Sequence, residues 1–184
     1  MPKDSTVSLH TCGDLTRLIN EAEALTCAVN ETDHRAAVAS LMRLALPHVG
    51  IPDFSDTPVN DGGYARKMLH IHPHGHFSVL AVRWMPGANT PVHGHNAWGC
   101  VGVLEGEIGC ETYCCREDAC ECSMAFLSST GLIRAGAGAV ATVGANPEGI
   151  HRLFNPTEKE AITLHIYGMD LSRDPLAINV PYQH

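Results

Sequence analysis

The chain has 184 residues, with 12 Lys plus Arg against 20 Asp plus Glu and a formal charge of -8. Nucleic acids and anionic membranes demand clustered basic residues, so the composition excludes them as partners and points to a small, polar or neutral one. The length suits one domain, and neither a signal-peptide pattern nor an apolar run of membrane-spanning length occurs, so a cytoplasmic location is expected.

Taken in chain order, residues 14–29 carry Leu15, Leu18, Ile19, Ala22, Leu25 and Val29 near helical spacing, with Asp14 placed to cap the first turn. A second helix is expected over 32–46, with Val38, Leu41, Met42 and Ala45 on one side and Pro47 as its stop. Neither carries a reactive constellation, so segment 1–50 reads as a helical cover packed on a sheet.

A connection rich in Pro, Gly and Asp spans 52–63, and the pattern then changes to short apolar or alternating runs bounded by turn residues. Strands are expected at 64–72, 76–84, 98–105, 107–115, 123–127, 139–143, 151–154 and 161–168. Short strands in series with no helix between them predict a mainly β fold of antiparallel sheets closed into a barrel or jelly roll over 64–170. A tail over 171–184 completes one domain, 1–184. The chain has eight cysteines, five of them at Cys110, Cys114, Cys115, Cys120 and Cys122. In a chain able to form a core without staples these are expected to be reduced. Their spacing matches paired zinc knuckles poorly, so the cluster reads as a surface hairpin.

Twelve histidines are present. His70, His72, His74 and His76 alternate, but Pro73 and Gly75 between them favour a turn with solvent-facing rings. His10, His34, His48 and His184 fall in terminal or helical segments with no partner in the sequence pattern, so no ligand role is expected of them. His93 and His95 differ: alternate residues of an extended segment face the same way, so the pair can present two nitrogens to one metal ion. The residues after them, Asn96-Ala97-Trp98-Gly99-Cys100, hold no carboxylate. In the last strand Thr163, His165 and Tyr167 share one face, where a hydroxyl, an imidazole and a phenol in a row can hold or pass a proton.

The stretch Gly87-(x)5-His93-x-His95, paired with Pro147-x-Gly149-x-His151-(x)3-Asn155, resembles the two-motif signature of the cupin superfamily over residues 80 to 168. That resemblance implies a double-stranded β-helix barrel, in agreement with the strand reading, and adds His151 as a third ligand. Three imidazoles without a carboxylate leave a divalent metal its full charge and open positions, which suits iron(II) and oxygen chemistry better than zinc.

At Tyr64-Ala-Arg66, His93-x-His95, Glu148-Gly-Ile-His151-Arg-Leu-Phe-Asn155 and Thr163-x-His165-x-Tyr167 the chain resembles the cysteine dioxygenase family of thiol dioxygenases. The resemblance implies Fe(II) held by His93, His95 and His151, and a catalytic line of Thr163, His165 and Tyr167 in which threonine replaces the family's serine. It also implies a substrate-carboxylate clamp of Arg66 assisted by Tyr64. Arginine there marks the cysteine-type branch, whereas Trp98-Gly99 looks more like the mercaptopropionate-type branch. Gly99 occupies the place of the cysteine that crosslinks to the catalytic tyrosine in mammalian members. Cys100 should face away from Tyr167, so no crosslink is expected.

The reaction implied is a small carboxylate-bearing thiol plus O2 giving a sulfinate. L-cysteine is the leading substrate, with 3-mercaptopropionate and mercaptosuccinate as alternatives; a second carboxylate would need a further cation such as Arg83 or Arg173. A metal-binding or ligand-sensing cupin without turnover and a zinc or manganese isomerase are the readings from other classes. A monomer or small homo-oligomer is expected.

Overall fold

A computed structural model describes residues 7–25, 31–115, 127–174 and 177–182. Two helices, α1 (Val7–Leu25) and α2 (Glu31–Ala45), precede ten strands. These are β1 (Tyr64–Ile71), β2 (Ser78–Trp84), β3 (His93–Gly94), β4 (Gly99–Glu105), β5 (Glu107–Cys115), β6 (Leu127–Gly136), β7 (Val140–Val143), β8 (His151–Phe154), β9 (Ala161–Tyr167) and β10 (Val180–Pro181). They form two five-stranded antiparallel sheets, ordered β1-β2-β9-β4-β7 and β10-β3-β8-β5-β6. This is the mainly β, two-sheet barrel expected. Among the described residues no helix is long and apolar enough to cross a membrane.

Strand β9 is central to the first sheet, pairing with β2 on one side and β4 on the other, and all its residues are buried. Its alternation therefore separates two buried environments rather than core from water. Leu164 and Ile166 face outward and pack with Val79, Ala81 and Cys100 beneath Leu18, Val38 and Met42 of the helices. Each such fully buried aliphatic side chain contributes roughly 1.5–3 kcal/mol. Thr163, His165 and Tyr167 face inward, and their cross-strand partners Val103, Val101 and Gly99 on β4 face inward with them. The helical cover thus dries the outer face, while the polar row lies inside the barrel.

Several expectations are corrected. Helix α1 begins at Val7, so Asp14 lies within it and is not its cap; a single interior glycine, Gly13, costs only about 1 kcal/mol and does not stop a helix. The end of the predicted first helix, 26–29, lies outside the described residues. So does most of the predicted strand 123–127, but its last residue opens β6, a ten-residue strand that the pattern did not announce. β6 is a sheet edge with Leu132 and Ile133 exposed, so it lacks the alternation that one buried face imposes. Cys115 takes part in a disulfide, against the expectation of reduced thiols: the bond needs a second sulfur within bonding distance and an oxidant to take up two electrons, and the spacing of cysteines along the chain reports neither. Cys100, Cys110 and Cys114 are free, and Cys120 and Cys122 lie outside the described residues.

Candidate metal centre

β3 is two residues long, yet it organises the centre. His93 pairs across the sheet with His151 of β8, so both rings enter the barrel from one side. β10 closes the other edge, with Val180 opposite Gly94 and Pro181 opposite His93. The turn before β8 supports His95: the Asn146 amide donates to the His95 carbonyl at 2.7 Å. A side chain at position 94 would run into Asn146 Oδ1, so glycine between the two histidines lets the Asn146 side chain pack against this strand. Ring centroids lie 5.1 Å apart for His93 and His95, and 4.8 Å for each of the other two pairs. The three ligand nitrogens all lie within 4.8 Å of one another.

The chemistry of this donor set suits a divalent metal. His93 Nδ1–H donates to the Pro91 carbonyl at 2.9 Å, which fixes the tautomer and leaves the Nε2 lone pair free. Nε2 of His95 and of His151 is buried with no hydrogen-bond partner among the described residues. An orphaned buried polar atom costs about 1–3 kcal/mol, which a metal ion would offset. Burial lowers the His93 ring to about 4 and the His95 ring to about 3, and holds His151 well below 6.5. All three are neutral at pH 7, so no proton competes for their lone pairs.

That protonation state predicts how the metal-free protein responds to acid. In the unfolded chain each imidazole takes up a proton near 6.5, whereas folded His93, His95 and the likewise buried His165 resist until about 4, 3 and 3. Between these limits the unfolded state binds more protons, so stability falls as pH falls. The melting temperature of the metal-free protein should drop steadily from pH 7 to pH 4, and a flat profile there would show that the rings are not buried and neutral.

The polar row on β9 is continuous. Trp84 Nε1–H donates to Thr163 Oγ1 at 2.9 Å, Thr163 Oγ1 lies 2.7 Å from His165 Nε2, and His165 Nδ1 lies 3.2 Å from the Tyr167 hydroxyl. Indole can only donate, so Thr163 Oγ1 accepts from Trp84; in the His165 tautomer protonated at Nδ1 the row continues from Thr163 O–H to His165 Nε2 and from His165 Nδ1–H to the Tyr167 oxygen. This leaves the phenol's own hydrogen free at the end of the row. The Tyr167 ring stacks 5.9 Å from His95, which brings that end to the metal site. Burial pushes the phenol up to about 12 despite Arg66 nearby, so it is protonated at neutral pH.

Tyr64 and Arg66 lie on β1, and Arg66 pairs with Val82 while Ala65 pairs with Arg83. Arg66 therefore faces the barrel interior. Its Nη2 donates to Asn179 Oδ1 at 2.9 Å and reaches Tyr64 OH at 3.5 Å, and its guanidinium lies 5.0 Å from the Tyr64 ring centre. Among the described residues no carboxylate pairs with it. Its charge acts on the whole centre, lowering the pKa of His93, His95, His165 and Tyr167. The second cations considered for a larger substrate point elsewhere: Arg83 stacks on Phe54, and Arg173 pairs with Asp170 at 3.1 Å on the surface.

Sequence reasoning missed Trp84, Asn146 and Asn179. The first two sit in ordinary strand and turn contexts, and Asn179 reaches Arg66 only because β10 pairs with β3, which no local pattern announces. The four alternating histidines do form a turn, but His72 is buried at 8% exposure rather than facing solvent. Its ring packs against Phe77, as the hairpin folds back over it. Gly99 sits opposite Tyr167, and Cys100 on the far face is a free thiol that burial raises to about 12.

Two antiparallel sheets enclosing three inward imidazoles define the class of the protein as a cupin barrel with a three-histidine metal site. Residues 57–173 match the family described as cysteine dioxygenase type I, and the chain belongs to that family of dioxygenases. Among solved structures it is similar to an RmlC-like cupin from Shewanella frigidimarina, 20% identical over 67% of this chain and 93% of that one, with a TM-score of 0.47. It is also similar to a cupin 2 conserved barrel domain protein from Salinispora arenicola, 16% identical over 65% and 86% of the two chains, TM-score 0.46. An oxalate oxidase in complex with the substrate analogue glycolate is 20% identical over 65% of this chain and 56% of that chain, with a TM-score of 0.47.

Proposed function

We propose that the protein is an iron(II) thiol dioxygenase of the arginine-type branch that converts L-cysteine and O2 to cysteine sulfinate. The observation that carries the substrate is Arg66, a guanidinium without a carboxylate partner, held beside the three histidines by Asn179 and Tyr64. The balance is one thiol plus one O2 giving one sulfinate and one proton, so no external reductant is needed. Iron held by His93, His95 and His151 would supply open positions at which sulfur and oxygen meet.

The rest is the work of side chains. Arg66 accepts the substrate carboxylate, and Asn179 restrains the guanidinium so that less entropy is lost on binding. Tyr167 presents a hydroxyl hydrogen towards the reacting sulfur and oxygen atoms, and His165, itself held by Thr163, keeps the phenol in that orientation. Tyr167→Phe should therefore lower turnover roughly 100-fold or more with metal content unchanged. Full activity in that variant, measured by oxygen electrode beside metal analysis, would remove the phenol from the chemistry.

Oxygen uptake by iron-loaded protein with L-cysteine, 3-mercaptopropionate and mercaptosuccinate tests the substrate. L-cysteine should give the highest kcat/KM. A preference for 3-mercaptopropionate is the second reading, favoured by Trp98-Gly99, and would overturn the first. Mercaptosuccinate requires a second cation, which neither Arg83 nor Arg173 supplies. The same reading takes the chain as one domain, 1–184, working in the cytoplasm as a monomer or small homo-oligomer.

A further inference from the structure

We propose that the barrel contains a second compartment, an apolar chamber of about 740 Å³ through which dioxygen reaches the metal centre from the edge of the sheet opposite the Arg66 clamp. This rests on the dioxygenase reading above. The clamp lies on β1 and the chamber beside β4 and β7, at the two ends of the sheet order β1-β2-β9-β4-β7. Val101 and Val103 of β4 form one wall and Ile108 and Leu153 the other, and His151 lines the same space. Val101 and Cys110 belong to the barrel strands yet are only half-buried, because the chamber opens between the edge strands β6 and β7.

The lining separates the two reactants by charge. The one cation among the described lining residues, Arg35, lies 3.9 Å from Glu148, which is exposed. The Thr112 and Thr130 hydroxyls share one hydrogen bond at 2.9 Å, and Thr112 Oγ1 also reaches the Gly131 carbonyl at 3.4 Å. A carboxylate entering here would shed water and meet Arg35 with the Glu148 carboxylate already facing it, which is unfavourable. Dioxygen carries no charge and gains from the same walls. Apolar walls such as those of Val103, Ile108 and Leu153 take up apolar guests, xenon among them. The thiol thus docks from the Arg66 side, while the chamber remains open to the gas.

Xenon pressurisation of crystals tests the chamber without any turnover, and steady-state kinetics with varied oxygen tests the route. Xenon should occupy the space between Val103 and Leu153. Ala141→Phe, on edge strand β7 opposite Val101, should exclude xenon and raise KM for dioxygen several-fold, leaving KM for the thiol and the metal content unchanged. Val101→Phe fills the same space from β4 if the first variant does not fold. Xenon absent from the wild-type chamber would overturn the proposal by itself. So would a variant that loses xenon but keeps its KM for dioxygen, or one in which the thiol KM moves instead, which would make the chamber a substrate subsite. Absence of thiol-dependent oxygen uptake in xenon-binding wild-type protein would refute the dioxygenase reading and the route with it.

Discussion

Replacing His151 with alanine should abolish thiol-dependent oxygen uptake and leave the protein without metal. The centre has three imidazole donors and no carboxylate to compensate, so the variant would retain two ligands on a strand segment whose cross-strand partner has lost its ring. Loss of a supporting group one shell out already costs roughly 10- to 100-fold in metal affinity, and loss of a ligand should cost more. The metal-free variant should melt close to the metal-free wild type, because truncation removes an orphaned buried nitrogen as well as packing. Metal should raise the melting temperature of the wild type alone, since a ion bound only to the folded state stabilises by about 2.7 kcal/mol at 100 times its Kd. Metal analysis, calorimetry and an oxygen electrode measure all of this. Stoichiometric metal in His151→Ala would show that the third ligand lies elsewhere.

Arg66→Ala should raise KM for L-cysteine by roughly 30-fold or more, with a smaller fall in kcat. Truncating one partner of a partly buried charged pair typically costs about 2–5 kcal/mol, here paid chiefly in binding. Arg66→Lys should recover only part of this, because an ammonium cannot reproduce the planar fork that grips both carboxylate oxygens. Asn179→Ala should have a milder effect in the same direction, since it frees the guanidinium without removing it. The control is cysteamine, a thiol lacking a carboxylate: it should be a poor substrate for wild type and no poorer for Arg66→Ala. An equal loss with cysteamine would mean that Arg66 serves the centre generally, through its field on the histidines and Tyr167, rather than as a carboxylate clamp.

The parts of the site that lay within short, regular segments were readable from sequence. His93 and His95 belong to one extended stretch, and Thr163, His165 and Tyr167 to one strand, so period-two geometry was enough to group each set. What that period could not say was which environment each face meets. On β9 both faces are buried, and the polar one turned out to be the barrel interior. Joining His151 to His93 needed the β3 to β8 pairing, which entered through the spacing of the cupin motifs rather than through any local rule. Asn179 and Trp84 were invisible for a related reason: each acts through a side-chain bond across a large sequence separation. β6 escaped notice because an edge strand with both faces near water leaves no alternation to detect.

The most direct measurement is the fate of oxygen in a single product. Iron-loaded protein supplied with L-cysteine under oxygen-18 gas should consume one O2 per thiol and yield a sulfinate in which both oxygen atoms carry the label. Sulfinate with one labelled oxygen or none, or uptake of oxygen that leaves only disulfide, would contradict dioxygenation at the three-histidine centre.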